Sequence, residues 1–458
     1  MTKGQDDHKS VFDNVSPLDF RYRDIEIEEI LSEASFIRYK LKVEVAMARV
    51  LQRRGLCGPE VVREIERGAA LVSAADVDKE EWRTKHDLRA LVNCLREQVS
   101  DKAKPIVHMT ATSYDIVDTA NALRYRDAAN ELIRRIEQKL IPVLAELAHT
   151  EAGTLQIGRT HGQHAVPITF GFTIASSVSR LGASVGMLKQ LRDGLRGKFS
   201  GAVGAYNASS LFFSDPETFE ADVLAQLNLL PAEHSTQIAP PEPLTRLVSE
   251  IVIAAGIMAN LARDMRNLQR TEIGEVGEEF VATQVGSSTM PQKRNPIGFE
   301  NVESIWKIVL GRMTTIYMDQ VSEHQRDLTG SASGRTTVEI FAWAMVMTDR
   351  LTRVMTKLCV NHASLKRNLA SQGSLVLSEP LQLLLASLGH PDAHEKVRQL
   401  TREAEHTGCP FEEIVAGDAE LAPYLKRMTS EQREILRDPA KYTGIAREKT
   451  LKIVERWI

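Results

Sequence analysis

The sequence predicts an all-α protein of three domains, with a central bundle of long helices. Three observations carry that prediction. From Leu244 to Phe280 there is no proline. Within the stretch, Leu247, Ile251, Ala254, Met258, Leu261, Met265 and Leu268 recur at alternating four- and three-residue steps. That spacing is a helical stripe close to a heptad seam. A helix over the whole stretch would exceed roughly 40 Å at about 1.5 Å per residue. Finally, alternating strand-like runs of Val, Ile and Thr are scarce.

The elements follow in order. Residues 1–105 are charged and punctuated, and form the first domain. Long proline-free segments then run over 116–140, 172–195, 302–321 and 337–358, with the 244–280 stretch among them. They mark a central domain over 106–360. After Asn361 the chain is broken by Gly373, Pro380, Gly389, Pro391, Gly408 and Pro410. Shorter helices are expected there, as a third domain over 361–458. Two of the long segments carry small-residue clusters, Thr173-Ile174-Ala175-Ser176-Ser177 with Leu181-Gly182-Ala183-Ser184, and Ala254-Ala255-Gly256. Small residues let backbones approach closely, which suits either subunit contact or a large monomeric bundle. No internal repeat or low-complexity tract is evident.

Composition excludes several classes. Hydrophobic residues at 43% and charged residues at 26% are ordinary for a soluble domain. A net charge of −4 gives no basic field for nucleic acid. Cys57, Cys94, Cys359 and Cys409 stand apart with no CxxC pair, so a metal cluster is not expected. The first ten residues have no apolar core, and no run reaches about 18 uninterrupted apolar residues. A cytoplasmic protein without a membrane partner is the expectation.

The chemistry concentrates in six polar clusters. The richest is Gly286-Ser287-Ser288-Thr289-Met290-Pro291-Gln292-Lys293-Arg294-Asn295-Pro296. Hydroxyls beside cations in a Gly/Pro-bounded loop suit anion binding and proton transfer. The others are Ser16-Pro17-Leu18-Asp19-Phe20-Arg21-Tyr22, Thr84-Lys85-His86-Asp87, Thr110 to Asp115, Gly158 to Ala165, and Gln325 to Ser331 with Arg335. Thr112 or Ser113 fits an N-cap as well as a ligand contact. Taken alone, Arg21-Tyr22, His86-Asp87 and Arg326-Asp327 read most simply as surface or local pairs. Gly158 and Gly162 imply a tight path that could hold the His161 ring. His164 lacks a nearby carboxylate or thiol, so a metal site is a poor reading and His164 reads as structural.

Together the loops around Thr112-Ser113, Thr160-His161 and Ser287 resemble the three separated regions that build the active site of the fumarase/aspartase superfamily. The resemblance runs from about Ser16 into the C-terminal region. Within the superfamily the chain is most similar to the adenylosuccinate lyase branch. That similarity rests on the Ser-Pro-x-Asp-x-Arg-Tyr start, on His86-Asp87, on Arg326-Asp327 with Ser331 and Arg335, and on Leu377-Ser378-Glu379-Pro380. Three positions depart from the branch. Gln292 stands where His is frequent and is more like argininosuccinate lyase. Gln325 replaces a frequent Glu. Ile238-Ala239-Pro240-Pro241-Glu242-Pro243 replaces a sequence that in many members contains arginine.

The resemblance implies β-elimination of fumarate from a succinyl-nucleotide, with neither metal nor organic cofactor. It implies Ser287 as carbon base and His161 as general acid to the leaving nitrogen. Lys293, Asn295, Thr112, Ser113 and Ser288 would bind the carboxylates. Arg21, Tyr22, Arg326, Ser331 and Arg335 would hold the nucleotide end. Lys85, His86 and Asp87 belong to the substrate-binding set, His86 and Asp87 as lining. Gln237 and Asn301 add polar contacts. It also implies a homotetramer whose sites are shared between subunits. Another N-succinyl lyase or a carboxymuconate cycloisomerase is the near alternative, and a non-catalytic helical scaffold the remote one.

Overall fold

The computed structural model describes residues 13–280, 289–371 and 373–458. About 65% of the chain is helical. The principal helices are α1 (Glu33–Arg53), α2 (Asp87–Glu97), α3 (Ser113–Arg135), α4 (Phe170–Asp193), α5 (Glu242–Leu268), α6 (Ile297–Met318) and α7 (Thr337–Thr356). All seven seam residues of α5 are buried, none more than 9% exposed. By length and composition alone α5 could cross a membrane. Its buried seam makes it a core helix here.

The helical segments differ from expectation where local chemistry intervenes. α5 stops at Leu268, twelve residues before the proline-free stretch ends. Gly274 takes a positive φ of 61°, and the Glu275 N–H returns to the Leu268 carbonyl at 2.9 Å. The chain then leaves as a strand. Beyond α3, Ile136–Leu140 form one wide π-turn before the next helix, Ile141–Thr150. Pro142, at the start of that helix, has no N–H to give, which accounts for the altered bonding.

Among the described residues six short strands were not anticipated, and they pair two by two. β1 (Leu155–Thr160) and β2 (Gln163–Thr169) form an antiparallel hairpin. β3 (Arg196–Gly197) lies parallel to β4 (Leu230–Pro231), and β5 (Val276–Glu278) antiparallel to β6 (Leu358–Val360).

The chain divides into two compact units. One comprises Met1–Ile136, Ser184–Gly256 and Ser304–Asp349. The other comprises Glu137–Ala183, Ile257–Glu303 and Arg350–Ile458. The helices α4, α5, α6 and α7 each contribute residues to both.

The first unit is built on α1, α2 and α3. Its core includes Met47, Leu51, Leu91, Leu123, Phe199 and Phe219. Phe219 stacks on Phe213 with centroids 4.6 Å apart and meets Phe199 edge-on at 5.9 Å. A buried carboxylate, Glu44, accepts the His108 N–H at 3.0 Å, and the His108 ring Nδ1 lies 2.7 Å from it. Burial lowers the His108 pKa, but Glu44 and Asp115 outweigh it and the net shift is upward. The pair's stabilisation is therefore complete below the unfolded imidazole value of about 6.5 and is lost as pH rises through the folded value. His108→Gln should destabilise the protein clearly at pH 6 and much less at pH 9. Equal losses in denaturant melts at the two pH values would contradict this.

The second unit has its own small core among the C-terminal helices, with Leu381, Leu385, Val397, Leu400, Phe411 and Leu421 buried. Gly171, at the start of α4, packs so tightly that a Cβ there would lie 2.4 Å from the Ala148 carbonyl oxygen and 2.7 Å from the Ala152 nitrogen.

Candidate active site

α3 begins with a capping box. The Thr112 N–H donates to Asp115 Oδ2 at 2.8 Å, and the Asp115 N–H donates to the Thr112 carbonyl at 3.1 Å. Thr112 thus takes the N-cap position that the sequence allowed, and Ser113 is the first helical residue. Asp115 is fully buried, with Lys198 Nζ at 2.5 Å and the Gly201 N–H at 3.2 Å. Lys198 is fully buried too, and its ammonium also donates to the Gly201 carbonyl at 3.2 Å. This ion pair fixes the first turn of α3 on the core of the unit.

One face of α3 then lines a cavity of about 510 Å³. Tyr114, Asp118 and Asn121 contribute from that face, at steps of four and three residues. Ile238 to Pro241, with Pro243, form an apolar part of the lining. The 321–338 region supplies Arg326, Ser331 and Arg335, and Asp87 enters from the start of α2. All of these residues belong to the first unit.

The cavity's charges are held in place. The Arg326 guanidinium lies 3.3 Å from the centroid of the Tyr114 ring, a cation–π contact, and donates to Gln237 Oε1 at 3.2 Å. The Gln237 N–H in turn donates to the Gln325 carbonyl at 3.2 Å. Asp327 braces its own loop, accepting the Glu323 N–H at 2.8 Å and the Thr329 N–H at 2.9 Å. Asp87 faces the buried Lys40 ammonium at 3.5 Å. Burial pushes the Asp87 carboxyl up, but Lys40, the Leu88 N–H, His86 and Arg335 outweigh it and hold the group below its ordinary range.

Other expected residues of this unit stand outside the cavity lining. His86 caps α2, its Nδ1 accepting the Arg89 N–H at 3.3 Å. That bond leaves the other ring nitrogen to carry the proton in the neutral form. Lys85 closes the helix Ala74–Thr84 in a left-handed conformation, with its ammonium 4.6 Å from the Trp82 ring centroid. Arg21 is exposed, and Tyr22 meets Trp343 edge-on at 5.0 Å.

His161, Lys293, Asn295 and Asn301 belong to the second unit. His161 and Gly162 are the two-residue tip of the β1–β2 hairpin, with Thr160 paired to Gln163. Both tip residues have positive φ, 54° and 75°, as a type I′ turn requires. His161 is exposed. A non-glycine residue held there is uncommon, and such conformations cluster at functional sites. The hairpin's base is anchored by the fully buried Glu275, which accepts from Gln156 at 2.8 Å, Arg159 at 3.1 Å and Asn368 at 2.8 Å. His164 is half-buried on β2, with its pKa lowered by burial and by Arg159. Lys293 is exposed in a turn closed by its N–H to the Met290 carbonyl at 3.0 Å. Asn301 lies on α6, whose first turn is capped by Glu278 through the Gly298 N–H at 3.0 Å and the Phe299 N–H at 2.9 Å. Ser287 and Ser288 lie outside the described residues.

Residues 19–311 match the lyase family, and residues 322–442 match the C-terminal domain of adenylosuccinate lyase. The chain is 36% identical over 448 residues to adenylosuccinate lyase of Archaeoglobus fulgidus, covering 97% of this chain and 98% of that one. It is 35% identical to adenylosuccinate lyase of Pyrococcus horikoshii, covering 96% and 97%. The chain belongs to the adenylosuccinate lyase family. Among solved structures, a 3-carboxy-cis,cis-muconate lactonizing enzyme from Pseudomonas putida aligns with a TM-score of 0.82 at 27% identity, covering 96% of this chain and 98% of that one. A fumarate lyase from Mesorhizobium has the same TM-score at 24% identity, covering 95% and 98%, and shares the fold.

The match to the adenylosuccinate lyase C-terminal domain starts at residue 322, inside the loop that carries Arg326, Ser331 and Arg335. Sequence reasoning missed two features of the lining and one partner behind it. Asp118 and Asn121 carried a usable signal, since they fall at helical spacing from Tyr114. The 238–243 segment was noted only as a departure, and it proves to be a wall. Lys40, the partner of Asp87, had no local signal, because it reads as one more charge on an amphipathic helix.

Proposed function

We propose that the chain cleaves adenylosuccinate to AMP and fumarate, and splits the related succinyl-aminoimidazole-carboxamide ribotide in purine synthesis. One observation carries this beyond family membership. Arg326, Ser331 and Arg335 converge on a single cavity that also carries an apolar patch at Ile238 to Pro241 with Pro243, which suits a phosphorylated ligand with a flat base.

The reaction removes a proton from a carbon beside a carboxylate and leaves a doubly charged aci-carboxylate. Ser287 takes that proton, and its alkoxide requires stabilisation by backbone N–H groups and Lys293. His161 gives a proton to the leaving nitrogen. Thr112, Ser113, Ser288, Lys293 and Asn295 hold the carboxylates, with Gln237 and Asn301 beside them. Arg21, Tyr22, Arg326, Ser331 and Arg335 hold the nucleotide end, and Lys85, His86 and Asp87 complete the substrate-binding set. No metal or organic cofactor takes part.

We propose further that the enzyme is a cytoplasmic homotetramer with sites shared between subunits, organised as domains 1–105, 106–360 and 361–458. Supporting this, Met187, Ile253, Leu310, Tyr317 and Met318 are exposed on the long helices α4, α5 and α6, an apolar surplus that a second copy would cover. The exposure of His161 fits a site completed by another chain.

Incubating the protein with adenylosuccinate and following ultraviolet absorbance tests the reading. No turnover would refute it, and argininosuccinate and carboxymuconate would be tried next. Arg335→Ala should lower kcat/KM for adenylosuccinate by about ten- to a hundredfold, mostly through KM, as loss of a charged hydrogen bond predicts. Unchanged kinetics would remove Arg335 from the phosphate site.

A further inference from the structure

One carboxyl in the cavity wall has no task in the reaction above. Asp118 follows Tyr114 by four residues on the same face of α3. Its Oδ2 accepts the Ala239 N–H at 2.8 Å, tying the helix to the proline-rich wall. Among the described residues it receives no other hydrogen bond and no ion pair. The adjoining segment Ile238-Ala239-Pro240-Pro241-Glu242-Pro243 brings no arginine to neutralise it. Burial pushes the Asp118 carboxyl up to about 6, opposed by the Ala239 N–H, Lys198 and Arg326. Above that value the carboxylate form prevails.

An ionised carboxylate only accepts hydrogen bonds, so the ligand must supply a donor. Adenylosuccinate offers few. Its phosphate and two carboxylates are anions, and its ring nitrogens are acceptors. The donors are the N–H at the scissile bond and the two ribose hydroxyls. The scissile N–H sits at the reacting centre, where the general acid must reach. Only the ribose diol remains for a carboxylate set between an apolar base wall and the arginines of the phosphate end.

We propose that Asp118 is a specificity-determining residue that accepts a hydrogen bond from the ribose hydroxyls of the nucleotide. The inference rests on the nucleotide-lyase reading. It adds a sugar contact that selects ribonucleotides over deoxyribonucleotides.

Calorimetric titration of the full-length protein with AMP, 2′-deoxyAMP and 3′-deoxyAMP tests it, alongside Asp118→Asn. Asparagine keeps an oxygen for the Ala239 N–H but loses the charge. In the wild type, at least one deoxynucleotide should bind about ten- to a hundredfold more weakly than AMP. In Asp118→Asn, AMP should fall to a similar level, and removing the hydroxyl should cost little more. Equal wild-type affinity for all three nucleotides overturns the proposal, and that comparison needs no variant. A full deoxy penalty persisting in Asp118→Asn also overturns it, leaving Asp118 as a brace for Ala239. If the wild type binds no AMP and does not turn over adenylosuccinate, the nucleotide reading falls, and the sugar contact with it. AMP binding that ignores the hydroxyls removes the sugar contact alone.

Discussion

His161→Asn is expected to fold like the parent and lose about 10²–10⁴ in kcat, the usual contribution of a general acid. Asparagine suits the experiment better than alanine. The site lies at φ 54° in a two-residue turn, a conformation asparagine tolerates and alanine resists. Alanine would mix a backbone penalty with the chemical loss. KM should change little, because the lost proton transfer belongs to the transition state. The hairpin base, held by Glu275 with Gln156, Arg159 and Asn368, is untouched by the change. Near-normal turnover in His161→Asn would assign the acid to another group. Mixing this variant with Ser287→Ala and allowing subunits to exchange should restore part of the activity. Recovery is possible only when one site draws on two chains, so a completely inactive mixture would argue for sites within one chain.

The largest stability loss is expected at Lys198. Replacing it by alanine should cost about 3–5 kcal/mol, because the Asp115 carboxylate is left buried without its cation. Asp115 keeps N–H donors from Thr112 and Gly201, which compensate only in part. The double replacement Lys198→Met with Asp115→Leu should recover much of the loss, since the penalty comes chiefly from the uncompensated charge. The double variant also loses the tie from the Thr112 N–H to Asp115 at the start of α3. Denaturant melts of the two variants decide the point. A single-variant loss below about 1 kcal/mol would mean that water or a neighbouring group reaches the carboxylate.

The long helices were legible because burial imposes their period on the sequence. The α5 seam is the clearest case, with each of its seven positions buried as read. What the sequence concealed was short and local. Leu155 to Thr169 form a hairpin although only a few β-branched residues mark it, because strand pairing depends on the partner across the turn more than on composition. The glycines flanking His161 did signal a tight path, and Gly158 has the reason expected of it. A Cβ there would lie 2.7 Å from the Val166 carbonyl oxygen. Among site residues, Arg326 and Arg335 were legible as cations grouped in a loop. Asp118 was marked only by its helical spacing from Tyr114, since a single acidic residue on a helix otherwise looks the same whether it meets solvent or a cavity.

The division of the chain has a consequence for its gene. Each compact unit is assembled from three separated stretches, so no single stop codon or start codon yields either unit whole. Fragments ending near residue 136 or beginning near residue 350 carry only a third of the segments that each unit needs. Dissection by truncation should give insoluble or degraded products, whereas two co-expressed fragments broken at a surface loop have a route to reassembly. A crossover near the middle of such a coding sequence divides the segments of both units at once.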